Sequence, residues 1–372
     1  MLKQHRNIIH LLLFCITLLT TTLAGAEWIT GKTYFFSENT ISYQEFLGGL
    51  YFSLPFLGIL TAHEFGHYFT AKFYRLNVTL PYYIPMWFGS LMPSIGTMGA
   101  FIRIESSPRS RKEFFDVGIA GPLAGFLVAL GVVYYGFTHL PPPEHIFTIH
   151  PEYAQFGLDY AQYVYQNQEI KIIMGDNLLF YLFREFVADK SLLPNEYEIM
   201  HYPFLLAGFL ACFFTALNLF PVGQMDGGHI LYGLMGAKWH RIISPLFLIL
   251  LTVIGGIDSF SIHDNLDTLL WGTPLYIFFL YLVFSRIFEN SLSVLLLAVA
   301  VFTFQFFVKS YFPEITGFQG WLAMSFLIGR ILGVYHPTTY DQKPLNFPRK
   351  LLGFAALIIF VLCFSPEPLI IR

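Results

Sequence analysis

His63 and His67 stand four residues apart with a carboxylate between them, in His63-Glu64-Phe65-Gly66-His67. On an α-helix this spacing puts the two imidazoles about 40° apart around the axis. Both can then reach one zinc ion, while Glu64 sits beside them to handle a water. The chemistry indicated is metal-assisted hydrolysis. Zinc would make the water more acidic, and Glu64 would accept its proton as the oxygen attacks the bond to be hydrolysed. The flanks, residues 54–62 and 68–71, are apolar. Ionisable groups at membrane depth are costly and by default mark a function, whereas a water-facing helix with this motif would carry a polar face. The competing account is two hydrogen-bonded core histidines and a surface glutamate.

A hydrolytic zinc site needs a third protein ligand and an open position. Asp226 is the best candidate. It lies in Asn218-Leu219-Phe220-Pro221-Val222-Gly223-Gln224-Met225-Asp226-Gly227-Gly228-His229, where Pro221 ends a helix and the glycines give an irregular turn. The alternative for Asp226 is an N-cap for a helix beginning at Gly227. His229 is a rival ligand, better suited to supporting one; Glu105 and Glu289 stand beside loop charges and are weaker candidates.

These residues must be positioned by membrane-embedded elements. With 55% hydrophobic and 12% charged residues and a mean hydropathy of +0.58, the chain reads as an all-α polytopic membrane protein. Aromatics at 19% suit lipid-facing surfaces and interfacial belts. A net charge of -3 without a basic cluster gives no indication of nucleic acid. Cys15, Cys212 and Cys363 are far apart in apolar segments and read as small buried hydrophobes. Runs of about 20 apolar residues predict nine transmembrane helices, near 8–26, 47–71, 114–137, 202–221, 242–257, 268–285, 291–308, 318–334 and 351–366. The first is preferred as a retained helix over a cleaved signal peptide. With the N-terminus inside, most basic residues fall in cytoplasmic loops, and the second and fourth spans both run inward, which brings the two motifs to the cytoplasmic end. The expected host is a bacterial inner membrane. Three regions follow: residues 1–46 (first helix and outer loop), 47–241 (catalytic core) and 242–372 (C-terminal bundle). The outer insert 139–201 holds nine acidic and three basic residues and reads as a solvated loop.

Residues 81–104 contain three prolines and three glycines, so a re-entrant loop or β-hairpin is expected there. Irregular backbone at membrane depth must line a cavity or be buried in protein. Its end, Gly99-Ala100-Phe101, could offer a strand edge to an extended peptide. The third span carries Gly118, Gly121, Pro122, Ala124 and Gly125, a small-residue patch that lets helices approach closely, and the expected neighbour is the helix with the histidines.

HEFGH and NLFPVGQMDGG, each on a hydrophobic span with GPLAG between them, resemble the site-2 protease family of intramembrane zinc metalloproteases. The resemblance covers residues 45 to 240 well and the remainder loosely. It implies a three-helix metal-binding core with His63, His67 and Asp226 as zinc ligands and Glu64 as catalytic base. It also implies that Asn218 orients or polarises the substrate carbonyl, and that the 96–104 hairpin (Gly99, Ala100, Phe101) pairs with an unwound substrate. Expected partners are the lipid bilayer and membrane-protein substrates, either single-pass or signal-peptide segments. Met225 replaces the family's usual leucine, and Gly223-Gln224 its commoner prolines; neither change removes a ligand. A metal-binding transporter or a non-catalytic zinc scaffold is the alternative. Glu64 and the lack of a clear internal repeat oppose it.

Overall fold

The computed structural model describes residues 2–35, 37–106, 108–166 and 172–371. It is mostly helical, and its chain divides into two compact units: residues 1–107, 120–217 and 356–372 form one, and 108–119 with 218–355 the other.

The first unit opens with α1 (Leu2–Thr30) and α2 (Tyr43–Phe73). A capping box starts α2. Ser42 Oγ accepts from Glu45 N–H, and the Glu45 carboxylate accepts from Ser42 N–H, which satisfies two of the amides that a helix start leaves unpaired. The two helices meet through small residues. A Cβ on Gly49 would fall 2.1 Å from the Thr22 carbonyl oxygen, and Thr22 Oγ1 lies 2.8 Å from Ser53 Oγ. Close backbone approach is the normal means of holding helices together where no hydrophobic drive separates protein from lipid.

Residues 81–104 form a β-hairpin, β1 (Tyr82–Met86) antiparallel to β2 (Gly96–Phe101), with a register shift at Ile84/Pro85 where proline cannot donate. α1 holds it: Thr20 Oγ1 donates to Gly96 O at 2.7 Å, and Trp28 Nε1 to Ser94 O at 2.8 Å. Next comes α3 (Arg111–Thr138), whose residues from Ala120 onward belong to this unit. The insert that follows is not a plain solvated loop. Short helical turns bury Ile146, Tyr153 and Tyr160 together, β3 (Ile172–Met174) leads into α4 (Leu178–Phe186), and α5 (Pro203–Asn218) leaves it. The C-terminal strand β4 (Leu369–Ile371) pairs antiparallel with β3. This second small sheet was not expected from sequence, because its strands are three residues long and some 200 residues apart.

The second unit contains α6 (Asp226–Gly255), α7 (Thr273–Phe284), α8 (Ser291–Tyr311), the short α9 (Gly320–Phe326) and α10 (Phe347–Cys363), whose last turns pass into the first unit. Among the described residues helices occur at all nine predicted span positions. Five are long and apolar enough to cross a membrane: Arg6–Thr30, Tyr43–Phe73, Arg111–Thr138, Asp226–Gly255 and Ser291–Tyr311. Several helix ends differ from expectation, two of them at breaks in the chain. The span predicted at 242 starts at Asp226, since the helix continues through a break at Gly236 (φ 80°). The span predicted to reach 221 ends at Asn218, where the Pro221–Gly223 turn begins.

Candidate metal centre

In the first unit, α2 presents His63 and His67 on one side. Their Nε2 atoms lie 3.0 Å apart, and the residues are 6% and 7% exposed. Glu64 is 5% exposed, with Oε1 4.0 Å from His63 Nε2. Two nitrogens held by a tetrahedral zinc at ~2.05 Å stand about 3.3 Å apart, so a slight opening of this pair admits the ion. Imidazole nitrogen is a donor that zinc favours, and the Glu64 carboxylate beside the pair is placed to act on a water.

Glycines make this arrangement possible. A Cβ on Gly66 would sit 2.5 Å from the Ala120 carbonyl oxygen, one on Gly121 only 2.1 Å from His67 Nε2, and one on Gly125 3.0 Å from His63 Cβ. The GPLAG segment is therefore the wall on which both imidazoles rest, which is the close approach its small residues suggested. The hairpin is fastened to the same helix one turn away: Tyr83 Oη lies 2.7 Å from Thr61 Oγ1, with Tyr83 4% exposed. On β2, Gly99, Ala100 and Phe101 face Ile84, Tyr83 and Tyr82 of β1. The sheet has two strands, so the far edge of β2 has no strand beside it among the described residues. Phe101 is 48% exposed.

In the second unit, Asn218 and Asp226 bracket a tight turn. Leu219, Phe220 and Val222 are buried, and Gly223 has φ 58°. Side chains are excluded here by backbone: a Cβ on Gly227 would lie 2.0 Å from Leu219 O, and one on Gly228 2.4 Å from Gly223 O. Ser244 locks the turn by accepting from Gly223 N–H at 3.0 Å and donating to Val334 O. Asp226 does not N-cap its helix. Met225 holds that position, and Asp226 is the first helical residue, half-buried, where a negative charge complements the helix dipole. His229 is engaged otherwise: its Nδ1 lies 2.7 Å from His336 Nε2 and its ring stacks on Phe114. Glu105 pairs with Arg6 at 2.9 Å, and Glu289 is exposed. Neither has the surroundings of a buried ligand.

His336 and the Thr61–Tyr83 bond were not visible in the sequence, because each depends on a partner that no local pattern announces. The same is true of a cluster in the insert, His150, Glu198 and His201. Its Glu-x-x-His spacing was the one available sign.

The motif geometry coincides with a family match. Residues 51–257 match the model of peptidase family M50. The chain belongs to this family. Among curated proteins it is similar to the "Probable zinc metalloprotease EGY2, chloroplastic" of Oryza sativa subsp. indica, 28% identical over 211 residues, 55% of this chain and 33% of that protein. It is also similar to the Arabidopsis thaliana "Probable zinc metalloprotease EGY1, chloroplastic", 27% identical over 180 residues, 48% of this chain and 28% of that protein. A third, the Arabidopsis "Probable zinc metallopeptidase EGY3, chloroplastic", is 26% identical over 271 residues, 69% of this chain and 41% of that protein. The chain thus spans about a third of the length of the first of these relatives. No solved structure matches it significantly. The relatives are chloroplastic by name and lend no support to the bacterial inner membrane expected from sequence.

Proposed function

We propose that this chain is an intramembrane zinc metalloprotease that hydrolyses peptide bonds in or near transmembrane segments of membrane proteins. The observation that carries the proposal is the buried Nε2 pair of His63 and His67, 3.0 Å apart, with the Glu64 carboxylate beside it, on a helix apolar enough to cross a bilayer. His63, His67 and Asp226 would hold the metal, with α2, α3 and α6 as the core around it. Zinc bound by these groups supplies Lewis acidity towards a water and a peptide carbonyl.

The remaining work falls to the chain's own residues. Glu64 accepts the proton of the attacking water and returns it to the leaving amine; at 5% exposure its carboxylate works in a low dielectric, where proton transfer is coupled strongly to nearby charge. Asn218 donates a hydrogen bond to the scissile carbonyl. A helical substrate must unwind before its carbonyl is accessible, and the free edge of β2 at Gly99, Ala100 and Phe101 receives the extended segment by strand addition. The membrane is crossed by the five long helices together with shorter ones, nine in all, with the catalytic end towards the side where Lys72, Arg103 and Arg111 lie.

Glu64→Gln tests the mechanism. Purified protein in detergent is incubated with tail-anchored and signal-peptide substrates, with and without chelator. Wild type cuts and chelator abolishes cutting; Glu64→Gln keeps its zinc and cuts nothing. Metal flux into liposomes without any peptide cleavage would instead support a transporter.

A further inference from the structure

The outer insert contains a second convergence of metal-ligating atoms, remote in sequence from HEFGH. His150 follows a helical turn, Ile146–Ile149, while Glu198 precedes the turn Ile199–His201 and His201 ends it. His150 Nε2 lies 3.3 Å from His201 Nε2, and Glu198 Oε2 lies 3.4 Å from the same His201 nitrogen. One donor atom from each of the three residues falls within 4.8 Å of the other two. Glu198 is 1% and His201 5% exposed.

The hydrogen-bond pattern determines which atoms face inward as lone pairs. His201 Nδ1 sits 2.8 Å from Trp28 O and 3.2 Å from Ile29 O. Carbonyls only accept, so Nδ1 carries the hydrogen and the Nε2 of the neutral ring is an acceptor aimed into the cluster. His150 Nδ1 faces the Glu152 carboxylate at 3.3 Å, the carboxylate–histidine arrangement that leaves the opposite nitrogen free for a metal. Glu198 Oε1 accepts from Tyr165 Oη at 2.5 Å, while Oε2, fully buried, has no hydrogen-bond partner among the described residues. The His201 Nε2 lone pair, His150 Nε2 and Glu198 Oε2 therefore converge on one point. Without a cation the two imidazoles share a single hydrogen bond and Glu198 Oε2 stays buried without a partner, which is costly. Two nitrogens at ~2.05 Å from a tetrahedral zinc are about 3.3 Å apart, which is the spacing found.

We infer that His150, Glu198 and His201 form a second, structural zinc site that fastens the outer insert to the end of α1. The fastening runs through His201, which the ion fixes from one side and the Trp28 and Ile29 carbonyls from the other. Gly31 (φ 65°) completes the contact: a Cβ there would lie 3.4 Å from Cε1 of both rings, so the chain turns directly beneath the pair. The site does not depend on the proteolytic function proposed above.

Zinc stoichiometry of the full chain in detergent, after chelation, reloading and gel filtration, tests this. Wild type is expected to retain two equivalents. His63→Ala/His67→Ala keeps one, and adding His201→Gln to that background removes it. Reciprocally, His150→Gln/His201→Gln in the otherwise native chain keeps one equivalent. Glu152→Gln, which removes only the carboxylate behind His150, weakens the retained zinc about 10-fold. A folded His63→Ala/His67→Ala protein that binds no zinc overturns the inference; so do two equivalents in His150→Gln/His201→Gln. Amide exchange gives a readout independent of the catalytic centre. Chelation of the His63→Ala/His67→Ala protein should speed exchange at Trp28 to Gly31 and Ile199 to Tyr202, and unchanged protection there also counts against the site.

Discussion

Gly121→Ala tests most directly whether the GPLAG wall sets the position of a zinc ligand. The added methyl would begin 2.1 Å from His67 Nε2, 2.4 Å from Cδ2 and 2.5 Å from Cε1. To regain ordinary contact at 3.4 Å the ring must withdraw by about 1.3 Å, several times the ~0.2 Å tolerance of a zinc–ligand bond. The expected outcome is a loss of zinc affinity of at least ~100-fold, the upper end of what disturbing a ligand's support costs, with cleavage lost in parallel. Gly131→Ala is the control. It lies on the same helix, meets nothing within 4 Å, and gains up to ~1 kcal/mol of helix propensity. Zinc would be measured by equilibrium dialysis in the His201→Gln background, so that the insert contributes no metal, and folding by thermal denaturation. A Gly121→Ala protein with native zinc affinity and turnover would refute the placement of His67 against α3.

In the His201→Gln background Asp226→Ala should lose tight zinc and all cleavage, whereas Glu289→Gln should match its parent in metal analysis and turnover; the opposite pattern would make Glu289 the ligand. Tyr83→Phe removes the bond to Thr61, worth ~1 kcal/mol or about fivefold in hairpin placement, so KM should rise about that much with zinc content unchanged, and an unaltered KM would detach the hairpin from substrate binding. Gly49→Ala, whose methyl would meet Thr22 O at 2.1 Å, should destabilise the α1–α2 contact by ~1–3 kcal/mol, while Gly48→Ala, with nothing within 4 Å, should leave the melting temperature unchanged or raise it.

What was legible in the sequence is what local spacing determines. The four-residue interval of His63 and His67 on an apolar helix dictates a shared face, and that pair is buried with its nitrogens 3.0 Å apart. The prolines and glycines of residues 81–104 rule out a continuous helix, and a hairpin stands there. Hydropathy located the helices but not all their ends. A break at Gly236 or a stop at Asn218 depends on how the backbone is satisfied by neighbours rather than on the apolarity of the run.

Tertiary structure decided everything that needs a distant partner. Gly121 and Gly125 are small residues in any reading of the chain, but only folding shows that they support His67 and His63 rather than lipid or another glycine. His229 carries ligand chemistry in sequence and is claimed by His336, 107 residues away. The insert reads as an acidic loop because charge is counted along the chain, whereas burial depends on contacts in three dimensions. There Glu198 leaves solvent, its carboxylate meets two imidazoles, and a residue type that alone signals a surface becomes a candidate ligand. Periodicity reports which way a side chain points on its own element; it carries no information about which group from elsewhere in the chain will be waiting there.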